Sequence, residues 1–177
     1  QEMRDVDVVL TNRELAYLFK GGRINLSSMQ DSSYDSLMGA GSGAGMIFGN
    51  TGGVTEAALR TAYWMLNGEA PPKEFYQLQP VRGFDGVREA TVDLGKTKLN
   101  IALIHGIGNT RAVLDRIQKG ATNYHFVEVM ACPGGCIGGA GQPLHRGNSS
   151  FIKARMEAIY KEDAGKPIRK SHENPEI

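Results

Sequence analysis

The two cysteines of this 177-residue chain stand close together, Cys132 and Cys136, in the stretch EVMACPGGCIGGAGQP from Glu128 to Pro143. Five of the eleven residues that follow Ala131 are glycine. Thiolates are soft ligands, suited to zinc, copper(I) or iron–sulfur clusters. Glycine around them lets backbone approach inorganic sulfide closely and aim N–H groups at it, which tunes a reduction potential. A cubane needs four ligands, usually Cys, and zinc also normally takes four. No histidine lies at ligand spacing from the pair. Spacing alone leaves two readings open. Either further ligands come from another segment, or the thiols bind no metal and are ordinary buried or free cysteines. A redox dithiol fits less well, because its usual spacing is C-x-x-C.

Other residues with chemical potential read more plainly. HGIGNTR has G-x-G after an apolar run, but Arg111 stands where a dinucleotide fingerprint needs its third glycine. A tight turn accounts for Gly106 and Gly108. GAGSGAG lacks the Lys-Ser/Thr of a phosphate-binding loop. His105, His125, His145 and His172 are scattered. Glu56 and Glu128 lie next to glycine turns, where a cap or an ion pair explains a carboxylate better than proton transfer does. Trp64 and Met65 read as core residues, and the charges after Tyr160 as a solvated surface.

The elements that must position the thiols follow from periodicity. VDVVL reads as a short buried strand, and Thr11 with Glu14 as a capping box opening a helix to about Lys20. Residues 23–45 read as an ordered loop, and MIFGN as another short strand. Val54 to Asn67 gives the clearest helix, with Val54, Ala57, Ala58, Thr61, Ala62, Met65 and Leu66 on one face and Gly68 closing it. REATVDL, GK and KLNIALIHG read as a hairpin leading into a central strand. Asn109 to Lys119 reads as a helix, YHFVEVMA as a strand ending at the thiols, and a last helix begins at Ser149 or Ser150. EDAGKPIRKSHENPEI reads as a polar tail. Alternation of strands and helices predicts an α/β fold with a mainly parallel sheet flanked by helices, in one domain over residues 1–177. Glycine clusters would then follow three strands and line one cleft at their carboxyl ends.

Bulk properties narrow the class. Hydrophobic residues at 41% and charged residues at 22% favour a folded domain over disorder. A net charge of +1 argues against a nucleic-acid or membrane surface. No apolar run is long enough to span a bilayer. Both ends read as cut, so a piece of a larger polypeptide is expected, in the cytoplasm or alternatively the periplasm.

The cysteine stretch closely resembles the third signature of the [FeFe]-hydrogenase catalytic domain. SGAGMIFGNTGGVTEAALRTAY, from Ser42 to Tyr63, is similar to another long motif of that family. DVDVVLTNREL, REATVDLG, HGIGNTRAVLDRI and PIRKSHENP are similar to family sequence in the same order. The resemblance covers almost the whole chain. It departs at Ala140, where the family usually has glycine, and in lacking the first two cysteine motifs. Those motifs supply two more cube ligands, a lysine and a proton-relay cysteine. The resemblance therefore implies the C-terminal lobe of the H-cluster domain.

What the resemblance implies can be placed on this sequence. Cys132 and Cys136 match thiolate ligands of the [4Fe–4S] part of the H-cluster, with Cys136 also bridging to the diiron subsite. Met130, Phe48 and Val54 match the apolar wall of that subsite, a dry setting for iron carrying CO, cyanide and a dithiolate bridge. Gly49, Gly134 and Gly135 match backbone against the cofactor, and the helix start at Gly53 offers N–H donors to its anionic ligands. The implied partners are the N-terminal half of the catalytic domain and, for the whole enzyme, ferredoxin or another redox protein. The isolated lobe is expected to be inactive, and self-association through an apolar face is expected. A hydrogenase-like protein of cytosolic iron–sulfur assembly is the alternative, binding a cluster without H₂ chemistry. Gly135, Pro143 and SHENP favour hydrogenase.

Overall fold

In KLNIALIH, the four residues Ile101 to Ile104 are fully buried. Burial on both faces is what a continuous apolar run produces at the centre of a sheet. A computed structural model describes residues 4–33, 41–83, 85–139 and 141–177. Its helices are α1 (Asn12–Gly21), α2 (Gly43–Met46), α3 (Gly53–Asn67), α4 (Ile107–Gln118) and α5 (Ser149–Gly165). Its strands are β1 (Val87–Asp93), β2 (Lys98–His105) and β3 (Phe126–Met130), in sheet order β1-β2-β3.

The α/β class holds, but the sheet is mixed rather than mainly parallel. β1 and β2 are antiparallel, with Val87 opposite Ile104 and Asp93 opposite Lys98. The short link forces this: Gly95 N donates to Asp93 Oδ1 at 2.8 Å, and Leu94 N to Thr97 O at 2.8 Å. Only the β2–α4–β3 crossover is long enough to bring strands side by side in parallel, pairing Ile101 with Phe126 and His105 with Met130.

One core cluster lies between the sheet and α3, built from Leu59, Phe75, Leu78, Val81, Val92, Leu94, Ile101 and Leu103. A second joins Ala44, Ile47 and Ala57 to Ile159 and Tyr160 of α5. The Thr11–Glu14 capping box opens α1 as expected.

Several expectations fail for identifiable reasons. Val6 to Leu10 form no strand; they are exposed, Val9 at 86%, with no described strand beside them to complete a ladder. MIFGN is not a strand either. Ser42 accepts from Gly45 N at 3.2 Å and starts the helical turn α2, which continues as a 3-10 turn over Ile47–Gly49. So the glycines after Phe48 do not follow a strand. Of the loop expected over residues 23–45, positions 34–40 lie outside the described residues. The YHFVEVMA strand shortens to β3, because His125 Nδ1 accepts from Asn100 N at 2.9 Å just before it. Asn148, not Ser149 or Ser150, caps α5: its side chain accepts from Ser150 N at 3.0 Å.

The largest reversal concerns α3. Its buried side carries Thr55, Glu56, Leu59 and Arg60, whereas Met65 is 72% exposed and Trp64 is largely open. Trp64 stacks on His172, with centroids 4.4 Å apart. Charge pairing decides which side turns inward. Arg60 donates to both oxygens of Asp163 at 2.9 Å and to Glu56 at 2.8 Å. Arg82 grips Glu56 from the other side at 2.7 and 2.9 Å, and Arg169 donates to Asp163 at 2.6 Å. Arg60, Glu56 and Asp163 are fully buried. Arg60 and Arg169 also lie over the ring of Tyr76, and Arg82 over that of Tyr160. The expected polar tail is therefore partly interior. Helix α5 runs past Tyr160 and delivers Asp163 to this network.

Burial pushes the Asp163 carboxyl up, but hydrogen bonds from Arg60 and then Arg169 outweigh it and hold the group below the ordinary Asp range. A depressed carboxylate contributes stability above its unfolded pKa and loses it as pH falls through the folded one. Urea denaturation followed against pH should show stability falling below the ordinary Asp range, and Asp163→Asn should flatten that acid limb. In the same assay Leu103→Ala should cost about 2–5 kcal/mol, whereas Met65→Ala should stay within about 0.5 kcal/mol. A large loss at Met65 would contradict its placement on the surface.

Candidate functional site

β3 ends at Met130, whose carbonyl accepts from Gly106 N at 2.9 Å, so the turns after β2 and β3 are tied together. The chain then turns through Cys132, where Gly135 N donates to Cys132 O at 3.0 Å, and enters a 3-10 turn over Cys136–Gly138. This loop is stapled to the turn after Phe48 by Thr51 N donating to Gly134 O at 3.1 Å. The contact explains one glycine sharply. Gly135 has φ of 91°, and a Cβ there would sit 2.7 Å from both Gly49 O and Thr51 N. Gly134 and Gly135 are buried, so their demonstrated role is close packing against residues 49–51.

Both thiols are free; Cys132 is half-buried and Cys136 exposed. They are not joined to each other. A Cβ added at Gly139 would reach the Cys132 sulfur at 3.5 Å, so glycine there keeps one side of that sulfur bare. Among the described residues, no group of three or more His, Cys, Asp or Glu side chains could hold a metal ion. Two soft thiol donors are present, fewer than the four ligands that a cubane or a structural zinc takes. Ala140, the departure from the glycine pattern, lies outside the described residues.

Phe48 and Val54 come together as expected, although the surface they share is open. With Ala57, Ala58, Thr61, Ala62, Met65 and Ser171 they line an apolar concavity, and Phe48 is 46% exposed. Met130 is half-buried at the end of β3 and is not among these lining residues. Gly49 touches the cysteine loop through its carbonyl and lies beside Ile159 of α5.

Glu128 proves to be the positioning group of the region. It is almost fully buried in β3 and accepts from Gly52 N, from Thr55 N at 2.8 Å and from Thr55 Oγ1 at 2.7 Å. A carboxylate at a helix N-terminus satisfies orphan N–H groups and meets the positive end of the dipole. The capping reading of Glu128 is thus the correct one, and the ion-pair reading of Glu56 likewise. One expectation changes as a result. Gly52 N and Thr55 N are already taken, so those donors at the start of α3 are not free for an external anion.

Two supports carried no recognisable signal in the sequence. Arg155 of α5 donates to Ile137 O at 2.8 Å and to Pro143 O at 2.7 Å, bracketing the exit of the cysteine loop. Asn12 of α1 donates to Gln142 at 3.0 Å. HGIGNTR closes on itself: Asn109 Nδ2 donates to His105 O at 2.7 Å, which needs no nucleotide. Among the described residues, no helix is long and apolar enough to cross a membrane.

A mixed α/β fold thus holds a free C-x₃-C pair on a glycine turn at the carboxyl end of a strand. The chain belongs to the family described as iron only hydrogenase large subunit, C-terminal domain, whose model matches residues 1–140. Residues 149–177 match the model of the iron hydrogenase small subunit. The chain is 52% identical over 173 residues to the NADP-reducing hydrogenase subunit HndD of Solidesulfovibrio fructosivorans, covering 98% of this chain and 29% of that protein. It superposes on a solved structure of [FeFe]-hydrogenase HydA1 from Chlamydomonas reinhardtii with TM-score 0.69 and 37% identity, over 93% of this chain and 47% of that one. The cytosolic Fe-S cluster assembly factor narfl of Xenopus tropicalis is 32% identical over 164 residues, 90% of this chain and 34% of that protein. The chain thus spans less than half the length of each.

Replacing Glu128 with Ala strands buried donors and removes the cap. It should cost about 1–3 kcal/mol in urea denaturation. Hydrogen exchange should quicken first at the N-terminal turn of α3, and unchanged exchange there would show that Glu128 does not hold the helix.

Proposed function

We propose that this chain is the C-terminal lobe of the catalytic domain of an [FeFe]-hydrogenase, a hydrogen:acceptor oxidoreductase, with residues 1–177 acting as one unit. The observation that carries the reading is the pair of free thiols on a loop stapled beside the Phe48–Val54 turn, in a chain of this family. Cys132 and Cys136 would supply two of the four thiolates of a [4Fe–4S] unit, Cys136 also meeting the diiron subsite. When bound, the H-cluster supplies the reversible cleavage of H₂ into protons and electrons.

The chain's own contribution is placement and one apolar wall. Phe48 and Val54 offer an apolar surface, and Met130 closes the strand from which the loop departs. Once covered by a partner surface, such walls would exclude water and strengthen the electrostatic effect of nearby dipoles. Gly49, Gly134 and Gly135 let two turns meet without side chains between them, so the backbone of the loop can lie close to a cofactor. Glu128 fixes α3 against β3 and keeps the walls in register with the thiols.

The two missing ligands would come from the N-terminal half of the catalytic domain, and electrons would pass to ferredoxin or a similar carrier. The uncovered apolar residues of the concavity suit such a partner lobe, and the isolated chain would associate with itself through them. A cluster-binding assembly protein is the second reading, favoured by the 32% identity to narfl. The 52% identity to a hydrogenase subunit weighs more heavily for the first.

The full-length protein separates them. Reconstituted anaerobically with its cluster, it should evolve H₂ from reduced methyl viologen, whereas the 177-residue chain alone should not. Cys132→Ser and Cys136→Ser in the full-length protein should each lower the iron content and the thiolate-to-iron charge-transfer absorption. A full-length protein that binds iron through these cysteines yet never turns over H₂ would favour the assembly reading. Full iron content in both serine variants would overturn either.

A further inference from the structure

The two thiols stand on one loop, but different elements hold its two halves. The first half is tied to the sheet and to the turn before α3. Met130 O accepts from Gly106 N at 2.9 Å, Gly134 O accepts from Thr51 N at 3.1 Å, and Gly135 N closes back on Cys132 O at 3.0 Å. No such staple reaches the second half. Among the described residues, the backbone-to-backbone hydrogen bonds of residues 136–139 stay inside the loop: Gly138 N to Gly135 O, Gly139 N to Cys136 O and Gln142 N to Gly139 O, each at 3.0 Å. Glycine at 138, 139 and 141 leaves this half little stiffness of its own.

Outside support comes mainly from one face of α5. Arg155 Nη1 donates to Ile137 O at 2.8 Å and Nη2 to Pro143 O at 2.7 Å. Ile152, one turn earlier, lies against Gly138, where an added Cβ would come 3.5 Å from Ile152 Cδ1. Ile137 is itself buried beside Gly49. Farther out, Arg13 N and Asn12 Nδ2 of α1 reach Gly141 O and Gln142. Of these contacts only Arg155 grips both ends of the glycine stretch. Among the described residues its guanidinium makes no ion pair, so the fork serves the two carbonyls alone. A planar fork fixes the separation of the groups it binds, which a flexible ammonium does not.

We propose that Arg155 is the positioning residue of Cys136: its guanidinium fixes the second thiol independently of the first and places a cation on the carbonyl next to it. The spacing of the two sulfurs is then set by two anchors, β3 for Cys132 and α5 for Cys136. Such spacing suits an iron–sulfur group, whose thiolates must meet different irons at a fixed separation. A cation at that point also favours the reduced, more negative state of the group. The role of the cation rests on the reading of the thiols as cluster ligands; the placement of Cys136 does not.

Amide hydrogen exchange by NMR in the 177-residue chain reads the two turns separately, through Gly135 N on Cys132 O and Gly139 N on Cys136 O. Arg155→Ala should speed exchange at Gly139 by about 10-fold or more, and at Gly135 by less than about two-fold, because two bonds from a charged donor are lost on one side only. Lys153→Ala, exposed on the same helix, should change either by less than about two-fold. If Arg155→Ala loses the parental circular dichroism, Arg155→Lys decides: it keeps the charge without the fork and should still speed Gly139 by about three-fold or more, with Gly135 unchanged. In the full-length protein loaded anaerobically with its cluster, a redox titration followed by EPR should give a more negative midpoint potential for Arg155→Ala and a value close to the parental one for Arg155→Lys. Equal acceleration at Gly135 and Gly139, or none at Gly139, overturns the proposal. So does a parental potential in cluster-loaded Arg155→Ala. If the parental protein takes up no iron, the cluster reading fails instead, and exchange alone decides on Arg155.

Discussion

The Glu128 carboxylate binds a strand to a helix, and the geometry of the candidate site rests on that contact. The cysteine loop is the direct continuation of β3, which carries Glu128. The apolar concavity belongs to α3 and the turn before it, which Glu128 caps. Two surfaces from separate elements are thereby fixed relative to each other by one buried anion and three donors. The staple between Thr51 and Gly134 repeats the link at the level of the backbone. Bare glycine at position 135 is what lets the two turns come that close.

Charge also fixes the far side of α3. Arg60 is enclosed by two carboxylates and Arg82 and Arg169 close the row. The network is completed by tyrosine rings beneath the guanidinium groups. Networks of this kind contribute selectivity of packing more than net free energy. Here that selectivity decides which face of α3 turns inward. Exposed Ala58 and half-buried Thr61 and Ala62 then line an apolar concavity together with Phe48.

The family relation and the geometry agree on what kind of object this is. The two thiols are unjoined, and among the described residues no group of three or more His, Cys, Asp or Glu side chains could hold a metal ion. The chain covers 29% of HndD and 47% of HydA1.

By itself the sequence determined the local features whose causes are local. The Thr11–Glu14 capping box, the β1–β2 hairpin, the extent of α3 and the central position of β2 follow from short-range hydrogen bonding and periodicity. The thiol pair and its glycines were legible for the same reason, since donor type and spacing are properties of a short stretch. Only the tertiary structure decided what depends on partners distant in sequence. Met65 is outside and Arg60 inside because Asp163 lies 103 residues further on in the chain. Val6 to Leu10 read as a short buried strand but are exposed and pair with nothing described, because a ladder needs a neighbour as well as a propensity. MIFGN became a helical turn because the Ser42 side chain satisfies Gly45 N. A hydrophobic pattern reports which residues avoid water on average. Where buried charges find each other, that pattern yields to them.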